Sequence, residues 1–360
     1  MIKLKKRWLV SLILCIGFIV GFMPKVDASE LKFSVEPVLP ENQKSEGHTY
    51  FDLNMTPNQK QVLKVHMRND TDKEVVVKPS IHAATTNING VVEYGESNTK
   101  VDKTIKYSLE NIVKPTVDEV KIPAKGAKDL ELNVQMPEEK FEGVLAGGIT
   151  LEEKEETKKD EKNKAQGLAI ENKYAYVVAV VLHESEEKVA SELKLTNVEP
   201  GQVNARNVIN ATIQNTQPKY MNQLTIDTKI TKNGQKEVLY SSKKESMQMA
   251  PNSSFAYPVS LNGKELKPGK YTLDMVAHSM KQDWHFTKEF EIKADVAKKL
   301  NKTDVSIEKS NTWMYLLIGS LFMLIIILVF ILLYRKKKEK NRNAKKRKSK
   351  VKNVNSLFSK

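Results

Sequence analysis

The chain has 360 residues, a single cysteine and a formal net charge of +14. The charge lies at the ends, since residues 1–7 carry +4 and residues 335–360 carry +12, which leaves −2 for the rest. A nucleic-acid-binding domain would carry its excess charge on a folded face, so this class is excluded. With one cysteine the chain is not a disulfide scaffold, and each domain needs its own hydrophobic core.

Residues 1–28 are typical of a secretory signal peptide. Basic residues up to Arg7 precede an apolar run from Trp8 to Met23, and small residues precede the expected cleavage after Ala28. An uncleaved membrane anchor is the alternative, but the apolar run is short for a crossing. Cys15 lies inside this run and is expected to leave with it.

Residues 31–184 predict a first β-sandwich. Short runs such as Leu63–Met67 alternate apolar and polar residues, which indicates strands with one buried face. The two most apolar runs are 141–151 and 174–182, and the second is apolar on both faces, which is typical of a strand inside a sheet. The charged residues 152–167 between them have nothing to bury, and we expect a mobile hairpin tip there.

Residues 190–294 predict a second β-sandwich. The break at 183–188 separates it from the first, and Asn233-Gly234 marks a hairpin turn between two of its strands. About seven strands are expected, the number that an Ig-like sandwich uses. The predicted fold class is therefore all-β, with two tandem Ig-like β-sandwich domains, an N-terminal signal peptide and one C-terminal transmembrane helix.

The transmembrane helix is predicted from Trp313 to Tyr334, because these 22 residues contain no charge. At about 1.5 Å per residue, such a helix covers the roughly 30 Å of hydrocarbon in a bilayer. Basic residues from Arg335 onward follow it and mark the cytosolic side. We therefore expect a single-pass protein of the cell membrane, with extracellular domains in the cell wall, a polar stalk at 295–312 and a basic cytoplasmic tail at 335–360.

The sequence contains no pattern that we would assign to catalysis. The six histidines include no pair at metal-ligand spacing on one helix, and no cysteine beyond the leader could join them. Ser-x-x-Lys recurs in Ser- and Lys-rich sequence, but without the Lys-Thr-Gly partner of penicillin-binding enzymes. The prediction is a binding protein with no catalytic residues, no metal and no cofactor.

Two polar segments of the first sandwich are candidate binding loops, because loops on a β-scaffold often carry binding residues. Turn chemistry is the alternative explanation, since Asn and Gly adopt left-handed backbone conformations and Asn side chains satisfy local amides. The candidate ligand- or partner-binding residues are Tyr50, Phe51, Asp52, Thr86, Asn87, Asn89 and Tyr94.

The same segments carry a resemblance to a known family. The motifs concerned are Tyr50-Phe51-Asp52-Leu53, Thr86-Asn87-Ile88-Asn89-Gly90, Phe141-x-Gly143 with Gly147-Gly148-Ile149, and Met249-Ala250-Pro251-Asn252-Ser253. In these motifs, and in its order of leader, two β-domains, single span and basic tail, the chain resembles the WxL-interacting proteins of Gram-positive bacteria. The charged insertion at 152–167 departs from that pattern.

The resemblance implies a non-enzymatic cell-surface protein. Its first domain is expected to bind peptidoglycan, its second a host extracellular ligand, and the whole to associate with surface proteins that carry a WxL domain. Pairing of a partner's strand with an exposed sheet edge is a mechanism consistent with this, although the sequence does not identify the edge.

Two alternative functions stay open at this point. A cell-wall-active hydrolase or transpeptidase would need a cleft with paired carboxylates or an activated nucleophile. A single-pass membrane sensor would signal through the tail, which offers charge but no predicted folded domain.

Overall fold

The computed structural model describes residues 32–97, 99, 101–154, 174–308 and 312–357, with the side chains of the last helix described for 313–343. The predicted signal peptide and residues 155–167 of the predicted hairpin tip lie outside the described residues.

Among its described residues, the first sandwich contains eleven strands and one short helix. The strands are β1 Phe33–Val38, β2 Phe51–Asn54, β3 Lys60–Asn69, β4 Val75–Ala83, β5 Thr85–Thr86, β6 Val92–Glu93, β7 Val113–Pro115, β8 Val120–Ile122, β9 Ala127–Gln135, β10 Val144–Glu153 and β11 Ala175–His183, and the helix is α1 Leu109–Ile112. One sheet has the order β1-β3-β9-β7, and the sheet that faces it has the order β2-β11-β10-β4-β8. The strands β5 and β6 form a separate two-stranded hairpin.

The core of the first sandwich follows the alternation seen in the sequence. Leu63, Val65 and Met67 of β3 are at most 1% exposed, and Leu130 and Leu132 of β9 pair with the first two of them. In the facing sheet, β10 and β11 pair antiparallel, as expected for the two most apolar runs. The strand β11 lies between β10 and β2, and its pairing with β2 is parallel.

The second sandwich has seven strands, all paired antiparallel. They are β12 Leu193–Val203, β13 Arg206–Asn215, β14 Met221–Lys232, β15 Val238–Met249, β16 Ser253–Ser260, β17 Gly269–Ser279 and β18 Gln282–Ile292. A three-stranded sheet, β12-β13-β16, packs on a four-stranded sheet, β15-β14-β17-β18. The predicted all-β fold with two Ig-like sandwiches is confirmed.

A helix, α2 Ala294–Thr303, follows the last strand and packs on the second sandwich. Ala297 is 2% exposed, and the Asn301 side chain accepts a hydrogen bond from the Leu266 amide and donates one to the Leu266 carbonyl. The Asn207 amide also donates to the carboxylate of Asp304, just after the helix. The first part of the range predicted as a stalk is therefore helical and held by side-chain contacts that its polar composition did not reveal.

The last element is α3, Thr312–Leu357. Its segment Trp313–Asn343 has a mean hydropathy of 3.3 over its most apolar stretch, and none of that stretch is covered by protein. This is a helix long and apolar enough to cross a membrane, as the sequence predicted.

Candidate functional site

The candidate site lies on the outer face of the five-stranded sheet. Ile149 and Leu151 of β10 point into the core, so the intervening Gly148 and Thr150 point outward. The register places Gly148 beside His82 of β4 and Asp52 beside Val181 of β11. The carboxylate of Asp52 thus stands on this outer face, at the edge formed by β2.

The β5–β6 hairpin folds back over this face. The backbone of Tyr94 lies so close to Gly148 that a Cβ at Gly148 would be 2.4 Å from the Tyr94 carbonyl oxygen. Gly95, the next residue, lies against Val177 and Thr150. Glycine at position 148 is therefore required by the close approach of the hairpin.

The Asp52 carboxylate is held by His183, which in turn contacts a lysine side chain. The Nε2 atom of His183 donates to Asp52 Oδ1 at 2.7 Å, because a carboxylate can only accept. The other ring nitrogen, Nδ1, lies 3.4 Å from the Lys44 ammonium, which donates to it. Burial, and then the positive charge of Lys44, lower the pKa of His183 against the opposing effect of its hydrogen bond to Asp52. With Nε2 donating and Nδ1 accepting, the imidazole in this arrangement is the neutral tautomer.

An aromatic face adjoins the carboxylate. The rings of His48 and Tyr50 stack with centroids 4.7 Å apart and an interplanar angle of 13°. His48 Nδ1 lies 3.3 Å from Asp52 Oδ2, outside hydrogen-bond geometry, and the His48 side chain is 34% exposed. The stacked rings thus offer solvent an aromatic surface beside a charged acceptor.

The second sandwich contributes a tyrosine to the same place. The hydroxyl of Tyr220 lies 3.1 Å from that of Tyr94. Burial, and then Tyr94, raise the pKa of Tyr220, and Tyr50 and Asp52 add to this effect. Burial, then Asp52 and Tyr94, also raise the pKa of Tyr50. We call the group His48, Tyr50, Asp52, Tyr94, His183 and Tyr220 the Asp52 cluster.

The structure brings Tyr50, Asp52 and Tyr94 together, but not Phe51. Because side chains alternate along β2, Phe51 and Leu53 point into the core on either side of Asp52, and both are 0% exposed. The ring of Phe51 therefore supports the strand and has no access to a ligand, which corrects its place among the candidate residues.

The other three candidates lie in the β5–β6 hairpin, which contacts the second sandwich. Thr86 Oγ1 lies 2.7 Å from Ser253 Oγ and accepts from the Ala250 amide at 3.0 Å. Asn89 Oδ1 accepts from the Lys244 ammonium at 3.4 Å. The side-chain oxygen of Asn87 accepts from the amides of Asn89 and Val91, which is the turn chemistry considered as the alternative.

We call this contact between the sandwiches the junction. The Gly90 carbonyl accepts from the Gln248 amide, and the Val144 amide donates to the Pro218 carbonyl at 2.8 Å. A Cβ at Gly143 would be 2.1 Å from that Pro218 oxygen. The motifs at 86–90, 143 and 249–253 that carried the family resemblance thus meet at the junction.

A small cavity of about 70 Å³ lies at the junction, lined in part by Thr85, Asp102, Glu110 and Asn252. Pockets that enclose organic ligands measure roughly 300–1,000 Å³, so this cavity is too small to hold a sugar ring. The Asp102 carboxylate also accepts two hydrogen bonds from Gln214, so it contributes to the contact between the sandwiches.

No group of three or more His, Cys, Asp or Glu side chains is arranged to hold a metal ion in the part of the chain that the structure describes. Within the Asp52 cluster, sequence reasoning missed His48, His183 and Tyr220 as site residues. A histidine at the end of an apolar run was the available signal for His183. Tyr220 gave none, because it lies 126 residues from Tyr94 in the sequence.

The chain is similar in strand arrangement to several solved chaperone structures. A chaperone–tip adhesin complex of CFA/I fimbriae matches at 10% identity over 71% of this chain and 98% of that chain, with a TM-score of 0.32. The Escherichia coli chaperone DraB matches at 16% identity over 72% and 98%, with a TM-score of 0.28. At such scores the fold assignment rests on the strand order described above. A search of curated proteins finds no match.

Two family models match the sequence. The model of the WxL Interacting Protein peptidoglycan binding domain matches residues 33–153, and the model of the WxL Interacting Protein host binding domain matches residues 165–302. The second match includes β11, although that strand is hydrogen-bonded within the first sandwich. Together the matches span both sandwiches, and the chain belongs to the WxL-interacting protein family.

Proposed function

We propose that the chain is a non-enzymatic scaffold of the Gram-positive cell surface. In this proposal α3 anchors it in the membrane, both sandwiches stand outside, and residues 335–360 stay in the cytoplasm. The first sandwich binds peptidoglycan, the second binds a host extracellular ligand, and the protein holds secreted WxL-domain proteins. The observation that carries the proposal is the match of the peptidoglycan-binding and host-binding models along residues 33–153 and 165–302.

The Asp52 cluster is the proposed peptidoglycan site. Sugar rings pack their apolar faces on aromatic side chains, and the stacked His48 and Tyr50 rings offer such a surface. A carboxylate accepts hydrogen bonds from sugar hydroxyls, and Asp52 has four lone-pair positions, of which His183 occupies one. The Tyr94 hydroxyl, 3.1 Å from that of Tyr220, completes the cluster. The stacked rings give affinity, and the carboxylate gives orientation.

Co-sedimentation with insoluble peptidoglycan tests this site, using the full-length chain in detergent. We expect Asp52→Asn to weaken binding about tenfold or more, because a charged acceptor is worth roughly 1.5–3 kcal/mol. Asparagine keeps the oxygen that His183 contacts, so the fold is preserved.

Asp129→Asn is the matched control. Asp129 is also paired with a histidine, His66, at 2.7 Å, but on the other sheet of the same sandwich. Its replacement should leave sedimentation unchanged. Equal sedimentation of Asp52→Asn and wild type would rule out the Asp52 cluster as the site.

A further inference from the structure

An open groove of about 750 Å³ runs along one side of the first sandwich. Its walls are the start of β9, residues 127–131, and the segment 116–121 that crosses from one sheet to the other. The groove exists because the chain switches sheets here: β7 pairs with β9, and β8 pairs with β4 of the facing sheet.

The switch leaves part of β9 with an open edge. The strand β7 ends at Pro115, opposite Leu132, whereas β3 continues to pair with β9 as far as Ala127. Among the described strands, residues 127–130 therefore have a partner on one side only. Four residues of strand span about 13 Å, enough for a short extended peptide to pair with them.

The direction of the free backbone groups follows from two hydrogen bonds. The Thr116 amide donates to the Glu131 carbonyl, so the main-chain groups of Glu131 point to the groove side. The Met136 amide donates to the Gln59 carbonyl, so the main-chain groups of even-numbered residues point to β3. Backbone direction alternates along a strand, and the N–H and C=O of Asp129 therefore face the groove.

Three other edges of the molecule are less suited to strand pairing. On β1 the outward-facing row includes Pro37, which has no N–H to donate. The edge of β2 is bridged by Gln43 opposite Leu53. In the second sandwich the edge strand β18 is tied to β12, where the Lys288 ammonium donates to the Thr196 carbonyl.

We propose that the β9 groove is the docking site for the WxL-domain partner, which adds an extended strand beside residues 127–130. This inference rests on the proposed function for the identity of the partner. Main-chain hydrogen bonds to Asp129 supply affinity. The side chains that border the groove carry both positive and negative charges, since Lys121 and Lys128 lie beside Glu119 and Asp129. A strand of mixed charge therefore fits the groove.

The position of the groove allows two ligands at once. The five-stranded sheet has β2 at one edge and β8 at the other, so the Asp52 cluster and the groove lie on opposite sides of the first sandwich. A strand bound beside β9 would leave Asp52 open to glycan.

The test measures the affinity of the full-length chain in detergent for a purified secreted WxL-domain protein of the same bacterium. Asp129→Pro removes the N–H that faces the groove and keeps the bonds of β9 to β3, because those come from even-numbered residues. We expect it to weaken partner binding about tenfold or more. Asp129→Asn keeps the N–H and loses one of the charges that border the groove, so it should bind the partner more tightly than Asp129→Pro.

Val117→Trp is the second variant. Val117 is 47% exposed at the groove wall, so a larger side chain there fills the groove without disturbing the core. We expect it to weaken partner binding as Asp129→Pro does, with peptidoglycan sedimentation unchanged for both.

If Asp129→Pro and Val117→Trp both bind the partner as strongly as wild type, the groove is not the docking site. The scaffold proposal would be unaffected by that result. Absence of any binding between wild type and the WxL-domain protein would overturn the groove and the WxL part of the proposed function together. Peptidoglycan sedimentation reports separately on the Asp52 cluster in either case.

Discussion

Asp52 shows how one position on a short strand receives its role from its neighbours. Its flanking residues fill the core, and the alternation of β2 turns its carboxylate toward His183 on the parallel neighbour strand. Asp52 is only 8% exposed, and its charge is retained there because His183 donates a hydrogen bond to the carboxylate. The Lys44 ammonium contacts His183, and the neutral His183 ring in turn holds the carboxylate in one orientation.

This arrangement predicts a pH dependence of stability. The folded-state pKa of His183 lies below its ordinary value of 6.5, first because of burial and then because of Lys44, while Asp52 and Glu186 oppose the shift. Below about pH 6.5 the unfolded chain binds a proton at this histidine that the folded chain does not, so stability falls as the pH falls. Replacement by glutamine removes this contribution.

Urea unfolding of the full-length chain at pH 7.5 and 5.5 checks this expectation. The midpoint should fall less between the two values in His183→Gln than in wild type. His285, which is exposed on β18, provides the control variant His285→Gln. An identical fall in His183→Gln and wild type would contradict the account.

Gly143 illustrates a glycine required by both conformation and space. It has φ +77°, and a Cβ there would be 2.1 Å from the Pro218 carbonyl oxygen across the junction. Gly234 has nearly the same φ, +78°, with nothing within 4 Å of its Cβ position. The Cβ position is therefore blocked at Gly143 and open at Gly234, at nearly the same φ.

We therefore expect Gly143→Ala to lower the free energy of unfolding by about 1–3 kcal/mol more than Gly234→Ala, which carries the backbone strain alone. Thermal unfolding of the two variants measures the difference. Equal destabilisation would mean that the Pro218 carbonyl moves away from the added methyl group at no cost in free energy, which would contradict the prediction.

At the scale of elements, the β5–β6 hairpin serves two surfaces. One side covers the outer face of the five-stranded sheet at Gly148, and the other side meets the second sandwich through Thr86. The hairpin therefore joins the Asp52 cluster to the junction, and its polar residues are mainly structural.

Thr86→Val tests the junction. Valine keeps the shape but leaves the Ala250 amide, which is buried, without its acceptor, and this should cost about 1–3 kcal/mol. The neighbouring Thr85 is the control, because its buried hydroxyl has no hydrogen-bond partner among the described residues. Calorimetric unfolding of Thr86→Val and Thr85→Val should show a loss in the first variant only, and equal losses would contradict the proposed role of the Thr86 hydroxyl.

The strands could be predicted from the sequence because alternation reports burial locally, as in Leu63–Met67. The Asp52 cluster could be predicted only in part. Tyr50 and Asp52 stood out as part of a polar segment on a β-scaffold, but their partners His183 and Tyr220 come from distant segments. The docking of α2 was missed because it depends on Asn301 and Asp304, polar residues that also suit an exposed stalk.

At the scale of the whole molecule, the two sandwiches carry their proposed surfaces on different sides. The Asp52 cluster and the β9 groove lie at opposite edges of the first sandwich, and the second sandwich is joined to it through the junction. The helix α2 closes the second sandwich before the chain reaches α3. In the proposed scaffold, this order would present each surface independently above one membrane anchor.

Orientation in the membrane is the central claim, because glycan and WxL-domain proteins are reached only from outside. Cysteine labelling of intact cells tests it most directly. In a Cys15→Ser background, Glu237→Cys places a thiol at an exposed turn of the second sandwich, and Ser349→Cys places one in the basic tail. We predict that a membrane-impermeant maleimide labels position 237 on intact cells and position 349 only after lysis. Labelling of position 349 on intact cells, or failure to label position 237, would contradict the account.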